Sequence, residues 1–299
     1  ALDRLSDGSW KRQAFGDGAK TALQMFDEAL AAPGPDSSTT GILLIGNKGE
    51  NSVSFVDLAT ATELGRQPAG NAPHEIAISP DGRRAAVVAY GGTTVDLFDV
   101  ATRAKVKTID LSPNEGPHGI AWLDDGRLIV TAERSQSLTV ADPASGRVTA
   151  SIKTDQQGTH MVAVSSDGRT AYTSNIPAGT VSVVDLARGR KLRDLAVGGE
   201  PEGIALSRDG RTLWVADLSA PRVQAFDASS FTKLGEVATG AVPIRVAVSP
   251  DGRWVVTSNL GSGSITVIDA ATPRRVRDIA LEHGPRLSGF EQFPPGLRD

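Results

Sequence analysis

Only four histidines occur in the 299 residues, His74, His118, His160 and His283, and three of them share one register. His74 follows Pro73, His118 follows Pro117 and His160 follows Thr159, in the related stretches PHEIAISPDGRRAAVVAY, PHGIAWLDDGRLIVTAE and THMVAVSSDGRTAYTSN. Two further copies place Glu202 after Pro201 and Ile244 after Pro243, and Arg286 after Pro285 continues the register. Three imidazoles and a carboxylate make a sensible sphere for one transition metal ion, with donors about 2.0–2.2 Å from an ion the size of zinc. Nitrogen-rich ligation fits Fe, Cu, Zn or Ni, whereas Mg and Ca take oxygen-only shells. His74, His118, His160 and Glu202 are therefore the candidate metal ligands, with Glu202 alternatively a general base on a water held by the metal. Glu75, Glu115 and Glu200 stand close enough in sequence to accept hydrogen bonds from the ring N–H groups. Arg245 and Arg286, from the copies without a ligand-type residue, and His283 beside them are candidates for binding an anionic part of a substrate.

These residues need a scaffold that brings one register together, and the repeat supplies it. The copies begin at Pro73, Pro117, Thr159, Pro201 and Pro243, spaced 44, 42, 42 and 42 residues apart. Each contains two apolar strands joined by an Asp-Gly turn, whose glycine provides the positive φ that a tight hairpin requires. A third strand ends in Asp57, Asp99, Asp142, Asp185, Asp227 or Asp269, and a fourth follows a short turn. A four-stranded sheet with apolar residues on both faces cannot bury them alone, and radial packing of several such sheets solves the problem. The expected fold is all-β, a six-bladed propeller of four-stranded blades in residues 41–299, with seven blades the runner-up. Its closing blade is composite, built from 41–72 and 285–299. In such a fold the histidine register opens the innermost strands, so the candidate ligands line one mouth of the central channel. Residues 1–40 read as an extension, with a short helix over 21–32 and a Pro/Ser-rich linker.

A second polar set comes from the ends of the second strands: Asn47, Glu133, Asn175, Asp217 and Asn259, with Ala89 and Tyr90 in the matching copy. Counted from the turn glycine, Glu133 aligns with Asn175, Asp217 and Asn259. Asn and Asp at such places commonly close turns. Glu133 and Tyr90 depart from that pattern and are candidate catalytic residues, an acid or base and a proton donor or aromatic wall. The serines of the SPDG and SSDG turns recur with the repeat, lack a nucleophile-elbow context and read as turn residues. A formal charge of −4 without a basic stripe argues against nucleic acid as a partner. No apolar run is long enough to span a bilayer. Zero cysteines exclude disulfides and thiolate sites. The start at Ala1, followed by polar residues, leads to the expectation of a mature periplasmic or secreted protein.

The pattern IAxSPDGRxxxVxN followed by VxVxDxAT, seen as VAVSSDGRTAYTSN with VSVVDLARG and VAVSPDGRWVVTSN with ITVIDAATP, resembles the YVTN-type β-propeller repeat. The likeness runs from about Gly41 to Gly284. It implies kinship with exported surface or periplasmic propellers and with lactonase-like propellers, most of them seven-bladed. It also implies a structural alternative, since a Pro-His pair before the inner strand is familiar in such repeats and can simply bond a neighbouring backbone. The functional expectation is a metal-dependent hydrolase, lyase or oxidoreductase acting on a small polar molecule. The alternative is a scaffold whose rim binds a protein or other ligand without chemistry.

Overall fold

The computed structural model describes residues 2–4, 10–12, 41–60 and 62–281. Leu2–Arg4 (β1) and Trp10–Arg12 (β2) pair antiparallel. Ile42–Asn47 (β3), Ser52–Asp57 (β4) and Thr62–Pro68 (β5) form a three-stranded sheet. Four-stranded sheets follow in chain order: Pro73–Ile78 (β6), Arg84–Ala89 (β7), Thr94–Asp99 (β8) and Lys105–Asp110 (β9); then Pro117–Trp122 (β10), Leu128–Ala132 (β11), Ser137–Asp142 (β12) and Arg147–Lys153 (β13). The next comprises Thr159–Val164 (β14), Thr170–Asn175 (β15), Thr180–Asp185 (β16) and Arg190–Ala196 (β17). The last two are Pro201–Leu206 (β18), Thr212–Asp217 (β19), Arg222–Asp227 (β20) and Lys233–Ala238 (β21), and Pro243–Val248 (β22), Trp254–Asn259 (β23), Ser264–Asp269 (β24) and Arg274–Ala280 (β25). The blades are thus an all-β propeller of six sheets, mostly four-stranded, with each strand hydrogen-bonded to its neighbour in sequence. The expected helix over 21–32 and the strand expected from 285 to complete the sheet of β3–β5 lie outside the described residues, as do His283 and Arg286.

The recurring Ser-x-Asp-Gly turn closes the first hairpin of four blades by its own chemistry. Ser79 Oγ donates to Asp81 Oδ1 at 2.6 Å, the Arg83 N–H donates to the same carboxylate, and the Arg84 N–H returns to Ser79 Oγ. Ser165, Ser207 and Ser249 repeat this arrangement with Asp167, Asp209 and Asp251, and the serine bonds hold these carboxyls below their usual range. The turn serines are structural, as their periodicity predicts.

Apolar residues alternate between the two faces of each central strand and meet those of the neighbouring sheet. Val95, Leu97 and Ile109 pack against Leu128 and Val130, while Ile129, on the other face of β11, packs with Leu138, Ala171 and Val184. By compactness the described blades fall into two units, 41–173 with 182–194 and 174–181 with 195–281. In the second unit Trp214, Ala216 and Val223 pack with Val255 and Ile268.

Asp217 is the polar anchor of that second unit. It accepts hydrogen bonds from the Glu200 N–H at 3.0 Å, from Ser219 Oγ at 2.6 Å and from Arg222 Nε at 2.8 Å. Burial pushes this carboxyl up, but the three donors outweigh burial and hold it below the usual range. A carboxyl that titrates lower folded than unfolded stabilises the fold above about pH 4, and that contribution disappears as the pH falls through the lowered value. Asp217→Asn should therefore lower stability at neutral pH and flatten the acid limb of the stability–pH curve, as read by urea unfolding at a series of pH values.

Candidate metal centre

Four of the innermost strands, β6, β10, β18 and β22, begin with a break in pairing. Pro73 pairs with Ala89 and pairing resumes only at Ile76 with Val87; Pro117 and Ile120 behave alike with Ala132 and Val130. The same break separates Pro201 from Ile204 and Pro243 from Arg245. Such irregularities bend a strand and re-aim its side chains. The residues released from the ladder are those of the histidine register: His74, His118 and Glu202, each one position after its proline.

Groups released from the ladder need other partners, and in the third sheet Thr131 supplies them. Its buried hydroxyl accepts from the Gly119 N–H at 2.7 Å and donates to the His160 carbonyl at 2.5 Å. One side chain on β11 thus ties the broken start of β10 to the start of β14. Gly119 makes the approach possible, because a Cβ there would stand 2.7 Å from the His160 carbonyl oxygen and 2.8 Å from Met161 Cα.

Close strand approach stacks the imidazoles. The His74 and His118 rings lie 4.2 Å apart between centroids, and the His118 and His160 rings 3.7 Å apart with their planes 33° from parallel. His118 is fully buried, His160 nearly so, and His74 keeps about a seventh of its side chain exposed. Carboxylates flank the row. Glu133 Oε2 is 3.0 Å from His160 Nδ1, and Glu75 Oε1 is 3.4 Å from His74 Nδ1. Two overlapping triads result, His118 with Glu133 and His160, and His74 with Glu75 and His118, each with its donor atoms within 4.8 Å of one another. These are clusters of buried and half-buried His and Glu side chains able to coordinate a metal ion.

Glu133 reaches His160 because of a short turn. In β6–β7 the Ser79 N–H bonds to the Arg84 carbonyl, five residues on, and the turns at Ser165, Ser207 and Ser249 match it; in β10–β11 the Leu123 N–H bonds to Arg127, four residues on. The missing residue shifts everything after it by one position. Ala132, not Glu133, occupies the place of Asp217 and Asn259, which corrects the alignment counted from the turn glycine. Glu133 instead matches Tyr90, Leu218 and Leu260: all four N–H groups bond to the carbonyl just before an inner-strand proline.

Tyr90, in that same position one sheet earlier, is buried against the other two histidines. Its ring lies 5.7 Å from that of His74 and meets His118 edge-on at 5.4 Å. Two cations border it: Lys48 Nζ is 5.0 Å and Arg134 Cζ 5.1 Å from the ring centroid, and Arg134 also donates to the Tyr90 carbonyl. Sequence reasoning overlooked both cations, although each directly follows a residue it singled out, Asn47 and Glu133. Glu75, expected to support a ring from outside, stands in ligand range itself.

The remaining expected residues are engaged elsewhere. Glu202 is buried in the second unit, where the Arg245 guanidinium bonds to its carboxylate, and it belongs to neither triad. Glu115 and Glu200 are exposed. Asn47 donates to Ser52 and Ser54 across its hairpin, Asn259 to Ser264 and Thr266, and Asn175 to Thr180, so these side chains pin strands together.

Comparison with known proteins agrees with this architecture. A family described as lactonase, 7-bladed beta-propeller, matches residues 46–226 and 190–285, so the chain belongs to that family. Six of its blades fall within the described residues. No curated protein matches the chain. Among solved structures it is similar to hydrazine synthase of Kuenenia stuttgartiensis, with 22% identity, a TM-score of 0.55, and coverage of 80% of this chain and 94% of that one. That likeness is one of fold, and a fold shared so widely leaves function to the site.

The strand approach at Gly119 is open to test. Gly119→Ala should part β10 from β14 and weaken Zn(II) binding by roughly 10- to 100-fold, the cost typical of losing support around a metal ligand. Thr131→Val should act in the same direction and Thr131→Ser should not, as measured by competition with a chromophoric chelator.

Proposed function

We propose that this propeller binds a transition metal ion through His118, His160 and Glu133 and uses it to hydrolyse a small, anionic cyclic ester. The observation that carries the reading is the buried imidazole row with Glu133 at its end. Two neutral nitrogens and one carboxylate suit Zn, Fe, Cu or Ni, and the carboxylate compensates part of the charge brought into a buried place. When bound, such an ion would polarise the ester carbonyl and raise the acidity of water. The chain's own groups divide the other tasks. Glu133 either ligates directly or holds His160 in one tautomer by accepting its Nδ1–H. Tyr90 walls the site and is the proton donor to the departing alkoxide. Lys48 and Arg134, on either side of Tyr90, favour a carboxylate or phosphate on the substrate. Of the three reaction classes expected from sequence, hydrolysis is preferred because the family's description names a lactonase. Water adds across the ring ester, giving one hydroxy acid.

The register-based ligand set of His74, His118, His160 and Glu202 is the competing assignment, in which Arg245 with Arg286 and His283 orients substrate; Glu202 and Arg245 enter it by sequence register alone. A periplasmic or secreted location is proposed from the resemblance to exported propellers.

Elemental analysis of protein purified without a metal-binding tag tests the reading. Wild type should carry tightly bound metal, and His160→Ala and Glu133→Gln should each lose an ion while Glu202→Gln keeps it. Chelation should abolish hydrolysis of phosphorylated or carboxylated lactones. Tyr90→Phe should lower kcat by about 10²-fold at unchanged metal content. Wild type that binds no metal after reconstitution with Zn(II), Fe(II), Cu(II) and Ni(II) would overturn the reading in favour of a binding scaffold with structural histidines.

A further inference from the structure

We infer that the histidine row is built for two metal ions, with His118 shared between them. The first ion is the one proposed above, on His118, His160 and Glu133, and the inference rests on that reading; the second is held by His74, Glu75 and His118.

The grouping of donors is the starting point. Among the described residues the clustered ligands fall into two triads that share His118, and neither contains both His74 and His160. His118 packs against both of the other rings, which belong to the strands on either side of its own. Two nitrogens bound to one ion stand at most about 4.2 Å apart, twice a typical metal–nitrogen distance. One ion at either triad therefore takes His118 and one of its neighbours, and the other neighbour is left with a carboxylate of its own.

Charge follows the same division. Glu133 lies at His160 and Glu75 at His74, so each end of the row has one carboxylate to offset one dication. His118 has two ring nitrogens and is the only residue of the row common to both triads. To bind both ions at once it gives up its ring proton to solvent and donates one nitrogen to each. No redox change is involved, and no bond other than N–H is broken.

The two sites differ in access. Ligand for ligand the inner site is the less exposed, with His160 3% and Glu133 17% exposed at the side chain against 14% for His74 and 24% for Glu75, and the shared His118 is fully buried. The outer ion, on His74 and Glu75, should exchange quickly and the inner one slowly. Lys48 and Arg134 border Tyr90, whose ring meets both His74 and His118, so an anionic ligand beside Tyr90 would lie near the cations and near both ions.

The test is equilibrium dialysis of the whole metal-stripped chain against Zn(II), with elemental analysis and timed removal by a chelator. Wild type should saturate at two ions per chain, lost in one fast and one slow phase. Glu75→Gln and His74→Ala should each bind one ion and lose only the fast phase. His160→Ala should also bind one ion and lose the slow phase. Saturation of wild type at one ion overturns the inference and leaves the proposed function standing, and so does retention of two ions by both Glu75→Gln and His74→Ala. Saturation at zero overturns both.

Discussion

An inner strand in this fold meets two demands. It must pair with the second strand of its own hairpin, and it must lie against the inner strand of the next blade closely enough to exclude water. Full pairing from its first residue would fix the strand's pleat and with it the direction of every side chain. The break after Pro73, Pro117, Pro201 and Pro243 relieves this conflict at the expense of backbone groups that leave the ladder. A buried N–H or carbonyl left unpaired costs about 1–3 kcal/mol. Thr131 answers that cost at β10 and β14, and Ser174, whose hydroxyl donates to the Glu202 carbonyl at 2.6 Å, serves the corresponding carbonyl at β18. The close approach of the strand starts consequently brings the imidazoles together.

With the backbone so fixed, the identity of two positions decides what the site can do. One is the residue after the inner-strand proline or threonine, which supplies His74, His118 and His160. The other is the residue just beyond the end of the second strand, which supplies Tyr90 and Glu133 but Leu218 and Leu260 in later blades. Polar chemistry is thus concentrated in consecutive blades of one unit, while the matching places of the other unit are apolar or, at Glu202, engaged by Arg245, the residue after the register position Ile244.

Much of this was legible from sequence for physical reasons. The hairpin turns announced themselves because Asp-Gly and the preceding serine are needed locally, and the histidine register was visible because it keeps a constant distance from those turns. Glu133 was misaligned because that distance is not constant in β10–β11: counting from Gly126 presumes a turn of equal length, and nothing in LDDGRLIV marks the missing residue. Sequence alone makes Glu75 a supporting group because neighbours in a strand ordinarily face opposite ways. The break in pairing suspends that alternation, so His74 and Glu75 stand together in one triad. Pairing of Glu202 with Arg245 was hidden for a similar reason, since it joins two inner strands that approach across Gly203, where a Cβ would come within 2.9 Å of the Ile244 carbonyl oxygen.

The shortened turn before Arg127 carries an implication for how such sites arise. A repeat protein that duplicates blades inherits the same residues at the same places, and changing a ligand by substitution means altering one side chain at a time. Removing one codon from a solvent-facing turn does something different: it advances the rest of the strand by one place, bringing a residue formerly beside the rim onto it, and leaves the turn's glycine and its Asp intact. Surface insertions and deletions, usually regarded as neutral drift, are in this architecture a direct route to new rim chemistry.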